Sequence, residues 1–400
     1  MKAQLLKALV AGCVIWLAPF ARATETPVTA DAEAFAKAAE WAKKLGGTAK
    51  RVDDPANPGG IEIVLEKSPL VDDDLKFLRG FARLRRLDLH GTNITDRGLA
   101  YLADLPRLED LGLSGTSITG DGLRALGRLP ELRNLCLIGA KVSDEGLRLL
   151  TRFPKLRELA LDGDETDAGL AHLADLPALE DLSLSGRNIT DAGLAWLPRF
   201  PRLSSISLTY LKISDVGMAY LGRSAGLRHV YLLGSPISDA GLEQLAPLAH
   251  LEYLWLSQSK VTGTGLRFLR GSDRMKHLVV SSAPLADDNL KYLQGMSQMF
   301  LLSLQHTPIG DRGVALLKGL PRLAFLDLSG TRITDAGLGH LQAFPELWSL
   351  FIDDTRVSNA GLLHLQSLPF LLDIDMKGTL VTDAGVARLT KERPRLRIQR

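Results

Sequence analysis

Cysteine is nearly absent from this sequence. Cys13 and Cys136 are the only two among 400 residues, so no disulfide framework can hold the fold, and stability has to come from packing. Aromatic residues are scarce at 6%, which makes any clustering of them informative. Neither sign of charge dominates, with 48 Lys and Arg against 46 Asp and Glu. No nucleic-acid or membrane-surface partner is therefore expected. Beyond the N-terminus no apolar run reaches the ~20 residues of a spanning helix. What is abundant is Leu, in a chain that is 46% hydrophobic and long enough to bury an extended core. Gly and Pro recur at regular intervals, a sign of regular turns.

The first residues read as a targeting segment. Lys2 and Lys7 precede an apolar stretch from Ala8 to Phe20, and Ala21-Arg22-Ala23 forms a small-x-small cleavage site. This is the signal-peptide pattern, assigned to residues 1–23, and it implies an exported, periplasmic or secreted protein. Val10-Ala11-Gly12-Cys13 offers an alternative, lipid anchoring through Cys13. Residues 24–59 read as a cap. Phe35, Ala38, Ala39, Ala42 and Leu45 recur at helical spacing, Asp31 can cap the start and Gly46-Gly47 the end. A loop rich in Asp, Pro and Gly follows.

From residue 60 the sequence repeats itself. LRRLDLHGTNITDRGLAYLADLPR begins at Leu84, LEDLGLSGTSITGDGLRALGRLPE at Leu108 and LAFLDLSGTRITDAGLGHLQAFPE at Leu323. Units begin near 60, 84, 108, 132, 156, 179, 203, 227, 251, 275, 299, 323, 347 and 371, giving fourteen units over residues 60–395. Nearly all have 24 residues; the unit around Asp162–Thr166 is one short. Residues 396–400 are a remnant that closes the last unit.

The L-x-x-L-x-L pattern and its period resemble the leucine-rich repeat. The chain is similar to bacterial exported proteins whose units carry Thr-Asp-x-Gly-Leu after the strand, and the likeness covers about 85% of it. The resemblance implies an α/β leucine-rich-repeat solenoid, a horseshoe with a parallel concave sheet and short convex helices, preceded by an N-terminal capping helix. Similar units occur in eukaryotic F-box receptors, but no F-box-like helical bundle precedes them here.

The residues agree with that expectation. Leu84, Leu87 and Leu89 point to one side of a strand, while Arg86 and Asp88 point to the other. Ile94 enters the core after the turn, Thr95-Asp96 starts a helix, and Leu99 and Leu102 pack inward from it. No unit buries its leucines alone, so the units must stack. The family's ninth position is an Asn that bonds the neighbouring turn. Here Thr92, Thr116, Thr307, Thr331, Thr355 and Thr379, with Ser235 and Ser259, stand in that place. They are expected to form a hydroxyl ladder in which every hydroxyl finds a backbone group. Asp164, Arg187 and Leu211 interrupt it.

No catalytic constellation emerges, and no cofactor or metal is expected. His172, His340 and His364 recur at one helix position. His229 and His277 lie two strands apart with no thiol beside them. Gly98, Gly122, Gly146, Gly169, Gly193 and Gly217 read as packing positions, Asp353-Asp354 as a solvated rim, and Cys136 as an outward-facing residue between Leu135 and Leu137.

The outward strand positions divide into two zones. Glu109, Asp110, Glu158, Asp162, Glu180 and Asp181, against Arg133 and Arg157, make the first acidic. The second is aromatic: Tyr210, His229, Tyr231, Tyr253, Trp255, His277, Phe300, Phe325, Trp348 and Phe351. Beyond it stand Asp327, Asp353, Asp354, Asp373 and Asp375. Trp and Tyr dominate interface hot spots. The expected ligand-binding residues are His229, Tyr231, Tyr253, Trp255, His277, Phe300, Phe325, Trp348 and Phe351. The expected function is a non-enzymatic, monomeric scaffold holding a protein or peptide ligand. A carbohydrate ligand, or an envelope-associated structural role without a dedicated ligand, is the alternative.

Overall fold

The computed structural model describes residues 30–52 and 59–400. The proposed signal segment, Cys13 and most of the Asp/Pro/Gly loop lie outside the described residues, as does the side chain of Asp31. The chain divides into two compact units, Met1–Leu203 and Ser204–Arg400.

The first unit opens with a helix, α1 (Ala30–Lys44). Ala38 and Ala42 are fully buried, and the Trp41 ring stacks on Phe77 at 4.8 Å. Gly46 ends the helix at φ 78°, and the Gly47 amide returns to the Ala42 carbonyl at 2.8 Å, as a glycine terminator should. Then comes β1 (Thr48–Val52), which pairs antiparallel with β2 (Gly60–Val64). This strand was not expected from the sequence; Thr-Ala-Lys-Arg-Val has little apolar content, and Lys50 and Arg51 interrupt its alternation. From β2 onward the pairing is parallel, through β3 (Leu84–Asp88), β4 (Asp110–Gly112), β5 (Asn134–Ile138), β6 (Glu158–Asp162) and β7 (Asp181–Ser185).

The second unit continues the pattern with β8 (Ser205–Thr209), β9 (His229–Leu233), β10 (Tyr253–Ser257), β11 (His277–Ser281) and β12 (Leu301–Ser303). It ends with β13 (Phe325–Asp327), β14 (Ser349–Phe351), β15 (Asp373–Asp375) and β16 (Arg397–Gln399). Each pairs parallel with the next. A short α or 3-10 helix returns the chain between successive strands. Leu84, Leu87, Leu89, Ile94, Leu99, Leu102 and Leu105 are all buried, so one repeat contributes apolar side chains from strand, turn and helix to a shared core.

The Thr-Asp-x-Gly-Leu sequence has a mechanical reason. Thr190 caps its helix by accepting the Ala192 amide. It also donates its hydroxyl to Asp167 of the preceding repeat at 2.6 Å, while its backbone amide donates to the other oxygen of the same carboxylate at 2.7 Å. The same pair of bonds joins Thr95 to Asp72, Thr119 to Asp96, Thr166 to Asp144, Ser238 to Asp215, Thr334 to Asp311 and Ser358 to Asp335. The aspartate is thus a repeat-to-repeat clasp, more than a charge at a helix terminus. Glycine makes room for it: a Cβ on Gly193 would sit 2.5 Å from Asp167 Oδ1, and one on Gly337 2.5 Å from Asp311 Oδ1. At one junction, Gly120 replaces the aspartate and the next repeat still keeps Gly146, packed on the Gly120 backbone; at another, both residues change. Gly263 takes the aspartate's place, and Asn289 then stands where the next repeat would need glycine.

The threonine ladder is partly as expected. Thr92, Thr116, Thr307, Thr331, Thr355 and Thr379 each donate to a carbonyl three residues back, at 2.5–2.7 Å. The acceptor belongs to their own turn and not to the neighbouring one, because the side chain is shorter than Asn. Ser235 and Ser259 depart from the expectation: both hydroxyls are buried without a partner.

Candidate functional site

The site lies on the strands of the second unit, on the sheet face opposite the buried leucines. Strand alternation places His229, Tyr253 and His277 side by side, since each is in register with the next. At β12 the equivalent residue is Leu301. Phe300, one residue earlier, fills the row instead; Phe325 resumes it on β13, and Trp348 precedes β14. Ring centroids follow one another at 4.4 Å (His229–Tyr253), 4.2 Å (Tyr253–His277), 5.9 Å (His277–Phe300), 5.2 Å (Phe300–Phe325) and 4.7 Å (Phe325–Trp348). Six rings therefore form one continuous ladder. Such pairs contribute about 0.5–1.5 kcal/mol each beyond the area they bury. The rings are half-buried except Phe300, which is 42% exposed.

Two residues along each strand a second, shorter row begins. Tyr231 and Trp255 are in register, with centroids 6.2 Å apart. The Trp255 indole N–H donates to Ser257 Oγ at 2.6 Å, and Ser257 and Ser281 share a hydrogen bond of 2.7 Å. These serines fix the indole, a role that nothing in the repeat pattern signals. On the following strands this row contains small, buried side chains, Val279 and Ser303, and then buried Asp327. Phe351 lies further along the row, and among the described residues no ring contact joins it to the others. Tyr210 does not share the outward strand row expected for it. It sits in the turn after β8 at φ 56° and is 51% exposed.

Burial, reinforced by His229 and Lys276, pushes the His277 imidazole down to about 4, so it carries no charge at neutral pH. Beside the rings, Glu252 is flanked by Lys276 at 2.6 Å and Arg228 at 3.7 Å. Past the ladder, burial and the Asp375 carboxyl push Asp353 up to about 7. The expected solvated rim is therefore incorrect for Asp353, which is half-buried beside Asp375. Asp354 is exposed.

In the first unit part of the acidic zone is ion-paired. Arg85 meets Glu109 at 2.5 Å, Arg86 meets Asp110 at 2.9 Å, and Asn134 bonds Asp110. Burial and the carboxylates of Asp181, Asp110 and Glu180 push Glu158 up to about 7. Cys136 is half-buried, with Sγ 2.9 Å from Ser114 Oγ. Among the described residues, no group of three His, Cys, Asp or Glu could hold a metal ion, and no helix is long and apolar enough to cross a membrane.

The repeated strand, turn and helix, the aspartate clasp and the buried leucines all point to one fold, and a family model described as Leucine Rich repeat matches residues 84–103. The chain has the leucine-rich-repeat fold. This leucine-rich-repeat chain has no match among curated proteins. It does resemble solved structures. An internalin of Listeria monocytogenes is 21% identical over 84% of this chain and 86% of its own, with a TM-score of 0.52. A leucine-rich-repeat protein of Leptospira interrogans is 16% identical over 82% and 86%, with a TM-score of 0.54. The mouse RP105/MD-1 complex gives 15% identity over 80% and 71%, with a TM-score of 0.53. These likenesses are of fold.

Proposed function

We propose that the outward sheet face of the second unit is a binding surface for an extended peptide or a protein loop, and that the protein is a non-enzymatic, exported scaffold. The observation that carries this reading is the six-ring ladder. Aromatics are 6% of the chain, yet six rings, two of them histidine, run without a gap across consecutive strands on a face the core does not use. Half-exposed aromatic clusters of this kind mark contact surfaces. The ligand-binding residues are His229, Tyr231, Tyr253, Trp255, His277, Phe300, Phe325, Trp348 and Phe351.

Size favours a segment over a whole domain face. Five strand intervals of ~4.8 Å make the ladder roughly 24 Å long. The distance from the ladder to the turns at the strand ends is about five residues, roughly 16 Å. The resulting area, on the order of 400 Å², is about half of what one partner buries in a standard protein interface. Ring geometry favours a peptide over a glycan. Four of the five ladder contacts are tilted or edge-on, with interplanar angles of 51–78°. The rings thus turn toward each other, whereas sugar stacking uses open ring faces.

The test is capture of a partner from the native envelope and medium with the intact chain and with Tyr253→Ala/Trp255→Ala. Loss of the captured protein, with an unchanged circular dichroism spectrum, is expected. Equal capture by both would overturn the reading.

A further inference from the structure

The turn after most strands passes through positive φ. In the first unit Lys67, which lies over Gly91 of the next repeat, and Gly91, Gly115, Gly139 and Gly186 occupy it. Among the described residues six non-glycine residues have φ of 50–57°, and five of them lie at this turn position in the second unit: Tyr210, Gln258, Ser282, His306 and Asp354. A side chain is disfavoured in this conformation, because Cβ approaches the following carbonyl oxygen. The fold by itself would prefer glycine there. Tyr210, His306 and Asp354 have a local use, since each lies over the glycine of the next repeat (Gly234, Gly330 and Gly378). Gln258 and Ser282 have none: the next turn carries a side chain, both residues are exposed, and no hydrogen bond among the described residues holds either side chain.

Gln258, Ser282 and exposed His306 follow β10, β11 and β12 in succession, at the opposite edge of the face from the ladder. Between the two edges lie the small, buried side chains of Val279 and Ser303. The face thus has an aromatic rim, a low floor and a polar rim, and the polar rim ends at Asp353 and exposed Asp354. Strained residues that the fold does not need point to function. We infer that this polar rim is a specificity edge for an extended peptide lying along the floor. Side chains of an extended segment alternate sides. One set therefore meets the rings, and the other meets Gln258, Ser282 and His306. The ligand has apolar residues alternating with hydrogen-bonding ones, and a basic residue at the exposed Asp354 end. The inference rests on the binding reading above.

The probe is a displayed library of random twelve-residue peptides selected on the full chain. Selected sequences should alternate apolar and polar residues and end in Lys or Arg. Their affinity should fall tenfold or more for Gln258→Gly/Ser282→Gly, the two residues without a local use, while the Tm of that variant stays level or rises as strain is released. Affinity within twofold of the parent overturns the polar rim and leaves the ladder standing, provided Tyr253→Ala/Trp255→Ala still loses the peptide. Peptides that survive the ladder variant, or a library that yields no binder, overturn both. A falling Tm in the glycine variant shows the side chains to be structural and overturns the inference.

Discussion

Gly193→Ala measures the aspartate clasp directly. In an ordinary helix this change stabilises by about 0.5–1 kcal/mol, because glycine loses more backbone entropy on folding. Here the new Cβ would lie 2.5 Å from Asp167 Oδ1 and 3.1 Å from Leu170 Cδ1, closer than packed atoms approach. Asp167 must move, and it holds both the amide and the hydroxyl of Thr190, at 2.7 and 2.6 Å. Hydrogen bonds to a charged group contribute roughly 1.5–3 kcal/mol each. Losing both and gaining the helix term gives a net destabilisation of about 2–5.5 kcal/mol. The control is Asp167→Ala/Gly193→Ala. With the carboxylate gone there is nothing to clash, so the double variant should be more stable than Asp167→Ala alone by about 0.5–1 kcal/mol. Urea unfolding followed by far-UV circular dichroism reads all four stabilities. A Gly193→Ala variant as stable as the parent would refute the clasp, and so would additive effects of the two substitutions.

The hydroxyl ladder predicts a contrast between similar substitutions. Thr331→Ala leaves the Leu328 carbonyl without its 2.5 Å donor and should cost about 1–2 kcal/mol, whereas Ser259→Ala removes a buried hydroxyl that has no partner and should be neutral or stabilising; the same urea titration compares them. His277 is held down to about 4 against an ordinary 6.5. The folded chain therefore binds fewer protons than the unfolded one, and stability should fall as pH drops from about 6.5 toward 4. Because the ring is partly solvated, the loss is on the order of 1–2 kcal/mol, below the full value of the shift, and His277→Phe should remove it in Tm measured against pH. Glu158 behaves oppositely. Its carboxyl is raised to about 7, so the folded chain binds the extra proton and stability should decline as pH rises from about 4.5 to 7. Glu158→Gln should flatten that decline.

Much of the fold is legible in the sequence because each repeat restates it. Leu84, Leu87 and Leu89 alone give one strand and its buried face, and Thr95 gives the helix start. The reason for the Asp and Gly in Thr-Asp-x-Gly-Leu is not legible within one repeat. The aspartate's partners lie in the next one, and only the paired exception at Gly263 and Asn289 betrays the link. β1 was missed because Lys50 and Arg51 hide its alternation. At the site, strand parity identifies the outward rings but not their order. Phe300 and Trp348 are one residue out of step with Phe325, and only three-dimensional packing shows that Phe300 joins His277 to Phe325 and that Trp348 extends the same row. Tyr210 was misplaced for a related reason, since its outward position is a turn and not a strand. The strain at Gln258 and Ser282 has no sequence signature beyond the absence of glycine.

The central claim is that the ladder of the second unit, and not the sheet face of the first, holds the ligand. Two variants decide it against a captured partner: Tyr253→Ala/Trp255→Ala, which removes one ring of the ladder and one of the adjoining row, and Asn134→Ala/Glu158→Ala on the first unit's face. Aromatic anchors contribute about 2 kcal/mol or more each, so the ladder variant should weaken the dissociation constant, measured by calorimetry, by at least thirtyfold, and the other variant should leave it unchanged. The reverse pattern, or equal affinity for both, would contradict the account.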